Sequence, residues 1–227
     1  MPEKFKSVYD DAYKAAKLEF IEEPMDDYYN HPLAGIFSRL RVKRIIREIG
    51  KFSSKNILEV GCEAGYVSIK LAENGGNIIA LDIIEEAIDL LNSKINKYNI
   101  ANIKTLVCSA HNLDIPDSSI DVIVCTEVIE HMPRLDIAIE EFYRVLNNKG
   151  KVIITFPNEK LRKYLYPFVS FLGINTSIES EVTLFDFQFN DVIDICKSKF
   201  IVEKKFSIPL VFPITRFLVL KKGTFCQ

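Results

Sequence analysis

Residues 56–65 read Asn-Ile-Leu-Glu-Val-Gly-Cys-Glu-Ala-Gly (NILEVGCEAG), and a segment with helical character follows from Tyr66 to Asn74. A short apolar run at Asn56–Val60, two glycines and a helix in succession predict a strand, a glycine turn and a helix. The first N–H groups of such a helix lie close to the end of the strand, where they can bind the anionic end of a ligand.

The same alternation of strand and helix continues along the chain. Apolar runs predict further strands at Asn77–Asp82, Ile103–Cys108, Ile120–Cys125 and Lys151–Phe156. Apolar residues at helical spacing predict helices at Leu33–Gly50, Glu85–Tyr98 and Leu135–Asn147. The first of these helices has Ile36, Leu40 and Ile45 on its expected apolar face and a basic opposite side.

Beyond Pro157 the order of elements changes. Helices are predicted at Lys160–Gly173 and Asn190–Ser198, and then two strands, Phe200–Ser207 and Ile214–Lys221, follow each other directly. The expected fold is a doubly wound, seven-stranded, mostly parallel α/β sheet with helices on both faces and a C-terminal antiparallel hairpin. Ligands of such sheets bind at the carboxyl ends of the strands.

The composition is that of one globular domain with appendages. The chain has 227 residues, 48% hydrophobic and 26% charged, and a formal net charge of −2, which is too balanced to hold nucleic acid by bulk electrostatics. Five scattered cysteines without a CxxC spacing fit neither a disulfide framework nor a zinc knuckle. The charged N-terminus lacks a signal-peptide core, and the apolar stretch from Ile208 to Leu220 is too short to span a bilayer. We expect a cytoplasmic protein without a transmembrane segment.

The glycine turn has an unusual acid before it. GCEAGY does not match the GxGxxG of dinucleotide sites, and Glu59 at the end of the first strand would repel a pyrophosphate but face an amine. Asp82 closes the second strand, where an acid commonly accepts hydrogen bonds from ribose hydroxyls. An alternative is that Asp82 caps the next helix, since Glu85 follows three residues later.

Three stretches in order carry a resemblance to a known family. They are ILEVGCEAGYVSIKLAENGGNIIALD (57–82), LVCSAHNLDIPDSSIDVIVCTEVIEHM (106–132) and VLNNKGKVIITFPN (145–158). Together they resemble the class I S-adenosylmethionine-dependent methyltransferases, in particular small-molecule and ubiquinone-biosynthesis-type O-methyltransferases, over about residues 33–221. The resemblance implies S-adenosylmethionine as the cofactor and a small molecule as the substrate.

The resemblance also implies roles for single residues. Glu59 would face the amino group of the cofactor, Gly61 to Gly65 would line its methionine portion, Asp82 would hold the ribose diol, and Ile83 would contact the adenine. The implied cofactor-binding residues are Glu59, Gly61, Cys62, Gly65, Asp82, Ile83, Ser109, Ala110, Cys125 and Arg39.

Two positions depart from the family pattern. Glu63 occupies the middle glycine position of the usual GxGxG, so its side chain must point away from a bound cofactor. Ser109 stands where the family often has an Asp that accepts from the adenine amino group. Both departures predict modest cofactor affinity.

The segment after the fourth strand, Glu127-Val128-Ile129-Glu130-His131, holds the candidate catalytic residues Glu127 and His131. Imidazole suits deprotonation of a hydroxyl, but His131 could equally have only a structural role. EVIEH also resembles small-RNA 2′-O-methyltransferases, whose Mg²⁺ site needs a further histidine that residues 182–190 lack. We therefore predict no metal.

The ends of the domain are expected to cover the site. Residues 1–50 are predicted to form an N-terminal helical lid or extension, and residues 51–227 the methyltransferase domain, with a substrate-capping segment at about 157–190. Arg39 or Arg41 would meet the cofactor carboxylate, unless both belong to a solvated basic face.

The sequence favours methyl transfer to a small molecule, more specifically to a hydroxyl of an apolar or aromatic compound. Two alternatives stay open at this point: methylation of an RNA 2′-hydroxyl, and a non-catalytic binding subunit with a methyltransferase fold. The oligomeric state is open as well.

Overall fold

The computed structural model describes residues 13, 14, 17, 35–164 and 184–223. Most of the predicted N-terminal lid lies outside the described residues, and so do residues 165–183 of the predicted capping segment.

The helices and strands alternate as the sequence predicts. The described helices are α1 (Gly35–Ile49), α2 (Tyr66–Glu73), α3 (Glu85–Tyr98), α4 (Leu135–Val145) and α5 (Phe189–Cys196). The strands are β1 (Asn56–Val60), β2 (Asn77–Asp82), β3 (Ile103–Val107), β4 (Ile120–Thr126), β5 (Leu146–Pro157), β6 (Phe200–Ile208) and β7 (Thr215–Lys222). A 3₁₀ turn at Ile129–His131 follows β4, and residues 159–164 are helical.

All seven strands form one sheet in the order β3-β2-β1-β4-β5-β7-β6. Strands β1 to β5 pair in parallel, whereas β7 is antiparallel to both β5 and β6. The predicted doubly wound sheet with a C-terminal hairpin is therefore confirmed. The strand order reverses between β1 and β4, so the expected ligand site lies at the carboxyl ends of these two strands.

Each face of the sheet has its own apolar core, which explains why the strands are apolar on both sides. Along β4, Ile123 and Cys125 belong to the layer that contains Phe142 of α4. Val122 and Val124 belong to the opposite layer, which contains Leu71 of α2. Successive side chains of a strand point to opposite faces, so one strand contributes to both layers.

The buried face of α1 agrees with the sequence prediction only in part. Ile45, expected on that face, is fully buried, whereas Ile36 and Leu40 are 46% and 41% exposed. The buried face instead includes two charged residues, Arg41 and Glu48. Glu48 is paired with Arg44 and Lys204, each at 2.8 Å, so its burial is compensated. The buried side of α1 thus combines apolar residues with two charged ones, which apolar periodicity does not reveal.

Within the described ranges, every helix is too short or too polar to span a lipid bilayer.

Candidate cofactor and active site

The turn between β1 and α2 needs its two glycines. Gly61 and Gly65 have positive φ angles of 71° and 83°. A Cβ atom on Gly61 would lie 2.4 Å from Val128 Cγ2, and one on Gly65 would lie 2.2 Å from Leu91 Cδ1. Both the backbone conformation and the available space therefore require glycine.

Glu63 also has a left-handed backbone, with φ 45°. This conformation is unfavourable for a residue with a Cβ atom, and it is one that glycine adopts without strain. The N–H of Glu63 donates to Asp82 Oδ2 at 2.9 Å. The neighbouring strand thus stabilises the strained turn.

Asp82 joins two turns at the carboxyl edge of the sheet. Its Oδ2 accepts the N–H of Glu63, and its Oδ1 accepts the N–H of Ile84 at 2.9 Å. Burial raises the pKa of Asp82, while these backbone N–H groups act in the opposite direction. Helix α3 has Ile84 as its N-cap, so the alternative that Asp82 and Glu85 form a capping box is wrong. The ribose-binding role of Asp82 stays a prediction.

Glu59 at the end of β1 is almost completely buried. Burial raises its pKa to about 8, and the nearby Asp82 carboxylate adds to this, while the hydrogen bond donated by the Ser68 hydroxyl opposes it. Glu59 therefore carries a proton at neutral pH in the structure. A cationic group placed beside it would favour the ionised form.

The residues expected around the adenine differ in accessibility. Ile83 is 41% exposed directly after Asp82, whereas Ala110 is buried. The buried thiols of Cys62 and Cys125 contribute to the apolar cores, and burial raises the pKa of each. The cofactor-binding roles of Cys62 and Cys125 stay predictions.

The Ser109 side chain is bonded to His111. Its Oγ accepts the backbone N–H of His111 at 3.3 Å and lies 3.0 Å from Nδ1. The other ring nitrogen, Nε2, contacts the carbonyl of Pro133. Since that carbonyl can only accept, Nε2 carries the proton and Nδ1 accepts from the Ser109 hydroxyl. Burial lowers the pKa of His111, which favours this neutral ring.

Glu127 is held from three sides. Its carboxylate accepts from Thr155 Oγ1 at 3.1 Å, and Oε2 lies 3.3 Å from Arg41 Nη1 and 3.8 Å from Arg162 Nη1. Its backbone is left-handed, with φ 53°, and its N–H donates to the Thr155 carbonyl. The cluster connects α1, the end of β4 and the helical residues 159–164.

His131 ends the 3₁₀ turn and is partly exposed at the same edge of the sheet. Glu130 beside it is buried, and its carbonyl accepts the N–H groups of Leu184 and Phe185. The structure thus places Glu59, Asp82, Glu127 and His131 along one edge, as their positions at strand ends predict.

Arg41 of α1 contacts Glu127. Arg39 is half-buried two residues earlier on the helix, and its cofactor-binding role stays a prediction. The alternative that Arg39 and Arg41 both belong to a solvated basic face is wrong, because Arg41 is buried.

Sequence reasoning missed three residues of this edge: Ser68, Thr155 and Arg162. Thr155 is a polar residue inside the apolar run of β5, which is a usable signal. Ser68 and Arg162 have no such signal, because their roles arise from contacts with distant parts of the chain.

Among the residues that the structure describes, no group of three or more His, Cys, Asp or Glu side chains could hold a metal ion.

Residues 58–154 match the family described as "Methyltransferase domain". The chain is 34% identical over 160 residues to the ubiquinone/menaquinone biosynthesis C-methyltransferase UbiE of Rickettsia akari, which is 66% of this chain and 64% of that protein. It is 28% identical over 138 residues to the ubiquinone biosynthesis O-methyltransferase of Rickettsia typhi, or 58% of this chain and 54% of that protein. The chain thus spans less than two thirds of these relatives.

Solved structures show the same fold at low identity. The magnesium protoporphyrin IX methyltransferase (ChlM) from Synechocystis, solved with bound SAH, superposes with a TM-score of 0.72 at 16% identity, covering 94% of this chain and 100% of that chain. These matches confirm the resemblance drawn from the motifs. Residues 58–154 thus match a methyltransferase domain, and the described sheet has the fold of the class I S-adenosylmethionine-dependent methyltransferases.

Proposed function

We propose that the protein transfers a methyl group from S-adenosylmethionine to a small-molecule acceptor. The observation that carries this proposal is the set of groups at the carboxyl ends of β1 and β2. Glu59 and Asp82 are buried acids, Gly61 gives the turn after β1 its left-handed backbone, and Ile83 offers an exposed apolar side chain. An amine, a diol and a flat apolar base are the chemical groups that these residues suit.

The residues present fit the cofactor. A buried acid that holds a proton at neutral pH gains a favourable partner when an ammonium group lies beside it. Asp82 keeps acceptor capacity on both oxygens beyond the two backbone N–H groups that it binds. When bound, the cofactor supplies an electrophilic methyl group on a sulfonium. In-line methyl transfer depends strongly on orientation, and fixing the acceptor is the contribution of the protein.

His131 and Glu127 have separate roles in this proposal. His131 takes the proton of an acceptor hydroxyl, as imidazole does in general base catalysis. Glu127 stays a catalytic candidate; its contacts with Arg41 and Thr155 fix the orientation of its carboxylate at the site.

The proposed acceptor is apolar or aromatic. Exposed apolar side chains surround the carboxyl edge, among them Ile83, Val107, Leu184 and Phe185. The relatives include both a C-methyltransferase and an O-methyltransferase. Methylation of a hydroxyl oxygen, which the sequence favours, is therefore a more specific proposal than methyl transfer itself.

Calorimetric titration with S-adenosylmethionine and S-adenosylhomocysteine tests the cofactor site. We expect micromolar binding that is lost in Asp82→Ala and retained in Asp117→Ala. Asp117 is a matched control, because it is an exposed acid that precedes β4 at the opposite edge of the sheet, where it pairs with Arg144. Thermal unfolding of both variants shows whether the fold survives the loss of the two Asp82 hydrogen bonds.

Absence of binding to the parent chain would contradict the proposal and support a non-catalytic binding subunit. Glu63 and Ser109 are the residues that would then explain the loss, and the double variant Glu63→Gly/Ser109→Asp should restore affinity. An acceptor screen follows only if the parent binds.

A further inference from the structure

The loop between β6 and β7 exposes three large apolar residues in succession. Leu210, Val211 and Phe212 are 93%, 79% and 51% exposed. Single exposed apolar residues are ordinary on protein surfaces, but a contiguous group at a projecting loop marks an interaction site. Residues 210–212 are therefore a candidate binding surface.

This loop lies at the same edge of the sheet as the candidate active site. Thr215 of β7 pairs with Pro157, the last residue of β5, and Asn158 donates its backbone N–H to the Ile214 carbonyl at 2.7 Å. The Asn158 side chain donates to the Pro213 carbonyl at 3.1 Å. The loop is thus fixed to the segment that enters helical residues 159–164.

Other exposed apolar residues lie at this edge. Tyr164 is 85% exposed on the helical segment, and Leu184 and Phe185 are bonded to the Glu130 carbonyl after β4. We call Tyr164, Leu184, Phe185 and residues 210–212, which share this edge of the sheet, the apolar rim.

The charges next to the rim indicate its partner. Lys160 and Lys163 are exposed on the helical segment that Asn158 links to the loop. The exposed acid Asp186 also lies at this edge, where its Oδ1 accepts from Gln188 Nε2 at 3.1 Å. Projecting apolar side chains flanked by lysines fit the boundary between headgroups and acyl chains of a membrane with anionic lipids.

We propose that the apolar rim docks the protein on the surface of a lipid bilayer that contains anionic lipids. Leu210, Val211 and Phe212 enter the interface, and Lys160 and Lys163 contact the headgroups. Docking places the carboxyl edge of the sheet against the bilayer, where an acceptor dissolved in the bilayer can reach the methyl-transfer site. This consequence for the acceptor rests on the proposed function. Docking itself requires neither cofactor nor catalysis.

Sedimentation of the full chain with vesicles tests the proposal. The vesicles are phosphatidylcholine with and without phosphatidylglycerol. We expect binding to the anionic vesicles, a loss of about ten-fold in affinity for Phe212→Ser from the removed apolar burial, and no change for Ile201→Ser. Ile201 is the matched control, because it is 55% exposed on β6 and pairs with Lys221 at the opposite edge. Lys160→Gln/Lys163→Gln should reduce the preference for anionic vesicles by about ten-fold or more.

A spectroscopic variant gives a second readout. The chain contains no Trp, so Phe212→Trp introduces a single tryptophan at the rim and Ile201→Trp a single tryptophan at the control position, and excitation at 295 nm avoids the tyrosines. Anionic vesicles should shift the emission of the first to shorter wavelength and leave the second unchanged.

Three results would overturn the proposal. They are absence of sedimentation with anionic vesicles, equal affinity of Phe212→Ser and Ile201→Ser, and a lipid-free dimer, seen by light scattering, that Phe212→Ser dissociates. The last result would assign the rim to a second copy of the chain. Titration with S-adenosylhomocysteine needs no vesicles. Failure of docking and failure of cofactor binding are therefore distinguishable.

Discussion

The carboxylate of Asp82 accepts the backbone N–H of Glu63 at 2.9 Å, which links the end of β2 to the turn that follows β1. The second carboxylate oxygen binds the N–H of Ile84. Two turns that contribute to the candidate cofactor site are therefore held by one side chain. The bond uses the backbone of Glu63, so it does not depend on which side chain stands at this position.

Replacement of Glu63 by glycine should not destabilise the protein. Glycine removes about 1–2 kcal/mol of left-handed strain and adds about 0.5–1 kcal/mol of backbone entropy loss, for a net gain of about 0.5 kcal/mol. Urea unfolding of Glu63→Gly measures this change.

Glu73→Gly is the matched control for this substitution. Glu73 is the last residue of α2 and pairs with Lys70, so glycine there should cost about 1 kcal/mol. Equal destabilisation of the two variants would show that the left-handed conformation of Glu63 carries no strain.

Alanine at Gly65 should destabilise the protein more than alanine at Gly75. Both glycines have left-handed φ angles, 83° and 89°, and should incur a similar backbone penalty. Only at Gly65 does the added Cβ meet a neighbour, Leu91 Cδ1 at 2.2 Å, whereas nothing lies within 4 Å at Gly75. Overpacking adds about 1–3 kcal/mol, which the difference between the two unfolding free energies should show. Similar losses would mean that Leu91 moves away without cost.

The sequence predicts most of this fold because its strands and helices have strong local signals. The bounds of β1, β2 and α3 agree with the prediction, since each begins and ends at a clear change in hydrophobic pattern. Strand β5 is longer than predicted, because its first residue, Leu146, pairs with Ile120 across an irregularity that periodicity does not encode.

The site is less predictable than the fold because its contacts join distant residues. Asp82 and Glu59 are evident from their places at strand ends. The contacts of Arg41 with Glu127 and of Glu48 with Lys204 place charged residues on the buried side of α1. The partners lie far apart in the chain, so local spacing carries no signal for these contacts.

Arg41 and Arg39 should differ in their effect on stability. Arg41 is buried and lies 3.3 Å from Glu127, so Arg41→Met leaves that carboxylate with the Arg162 contact at 3.8 Å and should cost about 1–3 kcal/mol. Arg39 is half-buried, and Arg39→Met should cost about 0.5 kcal/mol. Chemical denaturation of both variants measures the difference.

Cofactor affinity separates the two arginines further. If Arg39 binds the cofactor carboxylate, as the family resemblance implies, Arg39→Met should weaken S-adenosylhomocysteine binding while its stability stays near that of the parent. Unchanged affinity in Arg39→Met would remove this residue from the cofactor site.

The buried acid Glu59 should make the folded state less stable as the pH rises. Its pKa is raised from 4.5 to about 8, so between these values the folded state holds a proton that the unfolded state releases. The free energy of unfolding therefore falls from about pH 5 to pH 8 by up to about 1.4 kcal/mol per pH unit, and this contribution levels off above pH 8. Asp82 contributes in the same direction, because burial raises its pKa as well. In Glu59→Gln the neutral amide can still accept from Ser68 but cannot titrate, so urea unfolding between pH 5.5 and 8 should show a smaller slope than in the parent. Identical slopes in the two proteins would mean that Glu59 is ionised in the folded state. The carboxylate would then already be negatively charged before an amine binds beside it.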